Sequence, residues 1–163
     1  NPNSKNIFSL EETKQIFETN FFGTLNCLHV LLPFLKKKNN SQVIFMSSVA
    51  GYRGLPYAAA YCSSKSAITT FAESIYNQCK NLGIAIRVIN PGFIKTPLTD
   101  KNKFKMPMII PVEKAADIMY KKIIFSKKFE INCPWLFCFI MKILRLLPNS
   151  LYLSLTQLLI KRL

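Results

Sequence analysis

The sequence predicts an α/β fold with a parallel sheet, on three observations. Residues 42–48 form a short, continuous apolar run that reads as a strand buried on both faces and opening at its carboxyl end. From about residue 59 to 81, Ile68, Phe71, Ala72, Ile75 and Cys79 recur at helical spacing, and Gly83 supplies a stop. Ser48 at the strand end and Tyr61 near the next helix start can then face one crevice, where open α/β sheets place their ligands.

The other elements follow in chain order. Ser9-x-x-Glu12 is a capping box, and Ile16, Asn20, Thr24, Leu28, Leu31 and Leu35 continue one stripe that ends in Lys36, Lys37 and Lys38. Asn20 therefore lies on an otherwise inward face. After the strand at 42–48 and the helix at 59–81, a further helix is expected from about Val112 to Phe125, carrying Ala115, Ala116, Ile118, Met119 and Ile123. Residues 129–132 make a weak candidate for a last strand.

With 163 residues and 50% apolar content, the chain can bury a core of one domain or part of one. The five cysteines have no paired CxxC spacing and read as reduced thiols of an intracellular protein. His29 is the single histidine and reads as a structural helix residue, so no metal site and no Ser-His-Asp relay is expected.

The tail differs from the rest. Residues 134–147 are apolar nearly all round but too short for an ordinary membrane span, and Pro148 interrupts them before the apolar character resumes at Leu151. The 63 residues after Asp100 hold 12 basic and 3 acidic side chains, which is +9 of the chain's +14. A basic, aromatic-bearing pair of helices suits either the surface of an anionic membrane or a pocket cover or subunit interface within a soluble enzyme. The cations are scattered among bulky apolar residues without a known binding motif, so no nucleic-acid partner is expected.

Ser48, Tyr61 and Lys65 carry the chemistry. On a helix Tyr61 and Lys65 are i and i+4 neighbours, which sets a phenol beside an ammonium. A nearby cation favours the phenolate and lowers the pKa, making Tyr61 a usable general acid and base, while the Ser48 hydroxyl can fix a substrate oxygen. The spacing alone is weak evidence, because Ser63, Tyr76 and Lys80 repeat it. Ser63 and Tyr76 lie in one helix, ~20 Å apart along its axis at about 1.5 Å per residue, so the second copy reads as a solvated helix end.

Four segments then resemble the short-chain dehydrogenase/reductase family, over roughly residues 7–125. They are FETNFFG at 17–23, VIFMSSVAG at 43–51, YAAAYCSSKSA at 57–67 and IRVINPGFIKT at 86–96, in the family's order. The resemblance implies a partial Rossmann-type three-layer fold with a parallel sheet, here bearing an apolar helical carboxyl-terminal extension. It implies residues 1–132 as the carboxyl-terminal part of a dinucleotide-binding catalytic domain, with 133–163 as the amphipathic extension. Tyr61 is implied as proton donor and acceptor, Ser48 as the group orienting the carbonyl or alcohol, and Asn20 as the anchor of a water in a proton relay. Lys65 is implied to hold the nicotinamide ribose and to lower the pKa of Tyr61. Pro91, Gly92, Ile94 and Thr96 are implied to line the cofactor, NAD or NADP, and Gly92 would leave room for a flat ring to approach the backbone.

The family's glycine-rich phosphate loop is missing. The five glycines, at 23, 51, 54, 83 and 92, make no G-x-x-x-G-x-G or G-x-G-x-x-G arrangement. The chain is therefore expected to be the carboxyl-terminal part of a reductase, to bind nicotinamide cofactors weakly or not at all by itself, and to expose one edge of the serine strand. The leading expectation is an oxidoreductase moving a hydride between NAD(P)(H) and an apolar ketone, aldehyde or alcohol. It would be cytoplasmic, with peripheral contact at the inner membrane surface through residues 134–162, and a homo-oligomer when complete. The alternative is a non-catalytic or membrane-associated remnant unable to bind cofactor alone.

Overall fold

A computed structural model of the chain describes residues 8–38, 40–97, 99–101 and 106–160. Its first helical rod consists of α1 (Leu10–Phe17), a π-helical turn at Glu18–Phe22 and α2 (Gly23–Leu35). The Ser9 hydroxyl accepts from the Glu12 amide at 3.2 Å, satisfying one of the orphan donors of the first turn. Leu28, Leu32 and Leu35 pack against the core, whereas Leu31 is 52% exposed. Successive residues turn by about 100°, which puts Leu31 roughly 60° to one side of a face centred on Leu28.

Three parallel strands form the main sheet: β1 (Ser41–Met46), β2 (Ile84–Pro91) and, after a separate two-stranded ladder of β3 (Ile94–Lys95) and β4 (Ile110–Pro111), β5 (Glu130–Cys133). The order is β1-β2-β5, with Ser41 opposite Ile84, Met46 opposite Ile89, Val88 opposite Glu130 and Pro91 opposite Cys133. Parallel neighbours need crossovers, which α3 (Ala59–Asn81) and α4 (Val112–Phe125) supply. β1 lies at the edge, as expected, with Met46 half exposed.

The two faces of β2 show why helices cover both sides. Ile84, Ile86 and Val88 meet Ile68, Ala72 and Cys79 of α3 together with Phe45 of β1. Arg87 alternates to the other face, where its guanidinium donates to the carbonyls of Lys122 and Ile123 at 2.8 Å each, at the end of α4. A cation there also meets the negative end of the helix dipole. The result is the three-layer arrangement.

The tail folds as α5 (Trp135–Leu146) and α6 (Asn149–Ile160), parted at Pro148. Neither stands free. Phe137, Cys138 and Met141 of α5 pack against Val49 and Tyr52. Arg53 donates to the carbonyls of Leu144 at 2.8 Å and Leu147 at 2.7 Å and to Asn149 Oδ1 at 2.6 Å, while stacking 4.0 Å from the Tyr152 ring centre. The Tyr152 hydroxyl returns a bond to the Gly54 carbonyl at 2.7 Å. Arg53→Ala is expected to lower unfolding free energy by about 2–3 kcal/mol in urea titrations, from charged hydrogen bonds and a cation–π contact. Arg53→Lys should recover little of it, because an ammonium cannot reproduce the planar fork. Among the described residues, no helix is long and apolar enough to cross a membrane.

Candidate active site

The site is assembled where β1 ends. Ser47 and Ser48 follow the strand, and a 3-10 turn at Val49–Gly51 carries the chain away. Ser47 faces helix α3, where its hydroxyl donates to the Lys65 carbonyl at 2.9 Å and lies 2.8 Å from Thr69 Oγ1. Gly51 approaches the same point, since a Cβ there would sit 3.0 Å from the Lys65 carbonyl carbon and oxygen. The turn after β1 is thereby seated on the helix that holds Tyr61 and Lys65.

Ser48 has extended backbone geometry and is 8% exposed. Its hydroxyl accepts from the Ala50 amide at 3.2 Å and donates to the Pro91 carbonyl at 3.4 Å, a long bond that a better acceptor can replace. Tyr61 lies in the first turn of α3 and is 38% exposed. Burial pushes its phenol above the ordinary value, and a hydrogen bond with Ser48 pulls part of that shift back. The resemblance implies the opposite direction, a phenol lowered by Lys65. The Lys65 ammonium sits 5.8 Å from the Tyr61 ring centre and donates to the Met46 carbonyl at 3.0 Å, and burial lowers its own pKa. At that distance desolvation outweighs the cation, so Tyr61 rests as a protonated phenol.

Asn20 occupies the middle of the π-helical turn. Its side-chain amide donates to Ser64 Oγ at 3.0 Å, and Ser64 donates to the Tyr61 carbonyl at 2.9 Å. The Asn20 carbonyl accepts from Thr24 at 2.7 Å. Asn20 therefore reaches Tyr61 through Ser64, and no bond joins it to Lys65. At the end of β2 the Gly92 amide donates to the Cys133 carbonyl at 2.7 Å. A protein ring also needs Gly92 to lack a side chain: an added Cβ would lie 2.6 Å from Phe137 Cδ1 and 3.3 Å from Pro134 Cδ. Ile94 is half-buried in β3. Thr96 is held by Thr99, whose hydroxyl accepts from the Thr96 amide at 2.8 Å while the Thr99 amide donates to Thr96 Oγ1 at 3.3 Å.

A second polar group lies behind the first and was not legible in the sequence. The Tyr52 hydroxyl donates to Asn132 Oδ1 at 2.9 Å, and Asn90 Nδ2 approaches the same oxygen at 3.4 Å. Asn90 is fully buried and its Oδ1 has no partner, while its carbonyl accepts from the Cys138 thiol at 3.2 Å. The available signal was an asparagine directly after the apolar pair Val88-Ile89 and before Pro91.

These buried protons give a pH dependence. Burial raises the phenols of Tyr52, Tyr61 and Tyr152 and the thiols of Cys62, Cys79 and Cys133, and it pushes Cys138 up to about 11. The unfolded chain releases its thiol protons from about pH 8.5, before the folded chain does. Stability from these groups is therefore full below that pH and falls as pH rises toward the folded values. Lys65 and Arg87, both lowered by burial, work in the other direction but are two groups against seven. The urea midpoint should fall between pH 8.5 and 11, and Cys138→Ala should flatten the slope.

The described residues fit one end of a dinucleotide. An ammonium, a protonated phenol and a serine hydroxyl meet at a strand end, a donor set suited to a ribose and a carbonyl oxygen. The 163 residues hold no glycine-rich turn for a pyrophosphate.

Residues 2–106 match the short chain dehydrogenase family. An uncharacterized oxidoreductase of Myxococcus xanthus is 33% identical over 142 residues, covering 87% of this chain and 56% of that protein. A 3-ketodihydrosphingosine reductase of Bacteroides thetaiotaomicron is 32% identical over 90 residues, which is 55% of this chain and 34% of the reductase. In structure, a short chain dehydrogenase from Burkholderia cenocepacia in complex with NADP aligns with a TM-score of 0.73 at 23% identity, covering 84% of this chain and 57% of that one. The chain spans about half the length of the Myxococcus xanthus relative. With the strand-end serine, the Tyr-Lys helix start and the three-layer sheet in place, the chain belongs to the short chain dehydrogenase family.

Proposed function

We propose that these residues form the proton-transferring part of an oxidoreductase that interconverts an apolar ketone or aldehyde and its alcohol. The observation that carries the reading is the placement of Ser48 just past the carboxyl end of β1, on a turn seated against α3, whose first turn holds Tyr61 with Lys65 one helical turn along. NAD or NADP supplies or takes up the hydride when bound. In the reducing direction Ser48 turns its hydroxyl from Pro91 to the substrate oxygen and holds it beside Tyr61. The Tyr61 phenol gives its proton to the oxygen as negative charge develops there, and Lys65 steadies the phenolate left behind. Asn20, acting through Ser64, fixes the helix start. Lys65 also holds the ribose hydroxyls on this reading, with Pro91, Gly92, Ile94 and Thr96 along the nicotinamide side.

An apolar substrate is the class that relatives named for 3-ketodihydrosphingosine and retinol favour. Exposed Val30, Leu31 and Phe34 on α2 supply an apolar face for a homo-oligomer, and residues 134–162 supply peripheral membrane contact.

A titration followed by nicotinamide fluorescence tests the division of labour. The isolated chain should show no binding at micromolar NADH or NADPH. A fusion that adds the glycine-rich amino-terminal half of the Myxococcus xanthus relative should bind. Micromolar affinity in the isolated chain contradicts the reading, and favours neither a remnant nor a half-site.

A further inference from the structure

We infer that the outward face of α5 lies flat in the surface layer of an anionic membrane. The inference deepens the peripheral contact proposed above, by assigning it to one face and one lipid charge. At about 100° per residue, Trp135, Leu136, Phe139, Ile140, Ile143 and Leu146 fall within an arc of roughly 140° with no polar residue inside it. They are 66%, 41%, 54%, 38%, 47% and 83% exposed, in that order. The opposite face holds Phe137, Cys138 and Met141, which are buried against the domain. α5 is thus committed to the protein on one side and apolar on the other.

Charge selects the occupant. Residues 131–163 contain four cations, Lys142, Arg145, Lys161 and Arg162, and no acidic side chain. Lys142, bonded to Glu130, borders the apolar arc, and Arg145 is exposed one turn further on, near the carboxyl end of α5. A second copy seated on this face would set the tail's own charge, four cations and no acid, against the same charge, which repels at this contact. An anionic lipid surface instead attracts each cation and accepts the apolar face beneath the headgroups. At 12 residues α5 cannot span a bilayer, which suits a helix lying in the interface plane with its tryptophan at the boundary. α6 adds exposed Leu151 and Leu158. Because the inner face of α5 closes on Gly92 and Val49, the membrane lies about one helix diameter, ~10 Å, from the Ser48 turn.

Trp135 is the single tryptophan of the chain and a built-in reporter. The whole chain is mixed with phosphatidylglycerol vesicles or phosphatidylcholine vesicles, followed by Trp emission and co-sedimentation. Phosphatidylglycerol should shift the emission to the blue and pellet the protein, with about tenfold less bound to phosphatidylcholine or in 0.5 M salt. Phe139→Ser/Ile143→Ser should lose most of the binding while circular dichroism and the urea midpoint stay near wild type. Leu146→Ser alone takes its place if the double variant unfolds. No pelleting with either vesicle overturns both the inference and the peripheral contact. Binding that the variants retain in full overturns the assignment to α5 only. A blue shift without lipid that grows with protein concentration and accompanies a dimer in sedimentation gives the face to a second copy, and also overturns it. None of these outcomes bears on the proton-transfer reading.

Discussion

Tyr61→Phe, in a fusion of this chain with a relative's glycine-rich nucleotide-binding half, is expected to lower kcat/KM for ketone reduction by about 10²–10⁴-fold, the range of a positioned general acid. The substitution removes one oxygen from a side chain that is 38% exposed, so stability should move little. The phenol is held protonated by its burial, which is the form a proton donor needs in reduction. If Lys65 stabilises the phenolate formed in the reaction, Lys65→Met should also lower kcat/KM, and the alkaline limb of the pH profile should move upward. Retained turnover in Tyr61→Phe with bound cofactor would remove Tyr61 from the mechanism. Turnover kept by Lys65→Met with an unchanged pH profile would confine Lys65 to bracing the end of β1 at Met46.

Gly92→Val is the substitution expected to cost most in stability, at about 3 kcal/mol, the upper part of the range for overpacking a filled site. Its first added carbon would stand 2.6 Å from Phe137 Cδ1, well inside van der Waals contact, and Pro134 blocks retreat at 3.3 Å. The ring cannot swing freely, because Phe137 also packs on Phe93 with centroids 5.4 Å apart. Urea unfolding of the chain without cofactor reads the effect. The partner variant Phe137→Leu should destabilise by itself yet lessen the cost of Gly92→Val, an interaction that a double-mutant cycle isolates. Were the glycine needed only for a nicotinamide ring, Gly92→Val would weaken cofactor binding in the fusion and leave the urea midpoint of the chain unchanged.

That contrast marks where the sequence is legible. The helices at Ala59–Asn81 and Val112–Phe125 were readable with their ends, because long apolar periodicity and a stop at Gly83 are local signals. Ser9 announced its cap in the same way. Ser48 and Tyr61 could be placed near one another because the strand end and the helix start are boundaries that the pattern reveals, and Lys65 follows one helical turn after Tyr61. The π-helical turn around Asn20 was not, since nothing in Glu-Thr-Asn-Phe-Phe distinguishes an i→i+5 turn from an α-helical one. Other features depend on distant partners. Arg53 clasps Leu144 from 91 positions away, and Ser47 and Gly51 seat the serine turn on α3 by contacts that only the fold creates. The direction of the Tyr61 shift failed for a related reason: i and i+4 spacing places Lys65 near the phenol, but burial and the Met46 carbonyl decide what the cation does.

The central claim is that this chain supplies the proton-transferring part of a nicotinamide-dependent reductase. The most direct measurement is nicotinamide absorbance at 340 nm with NADPH or NADH and an apolar ketone, for the chain alone, the glycine-rich half alone and the fusion of the two. Turnover in the fusion, with none in either part, is the expected result. A folded fusion that binds cofactor but oxidises none of it with any apolar ketone or aldehyde, and reduces none with the matching alcohols, would contradict the claim.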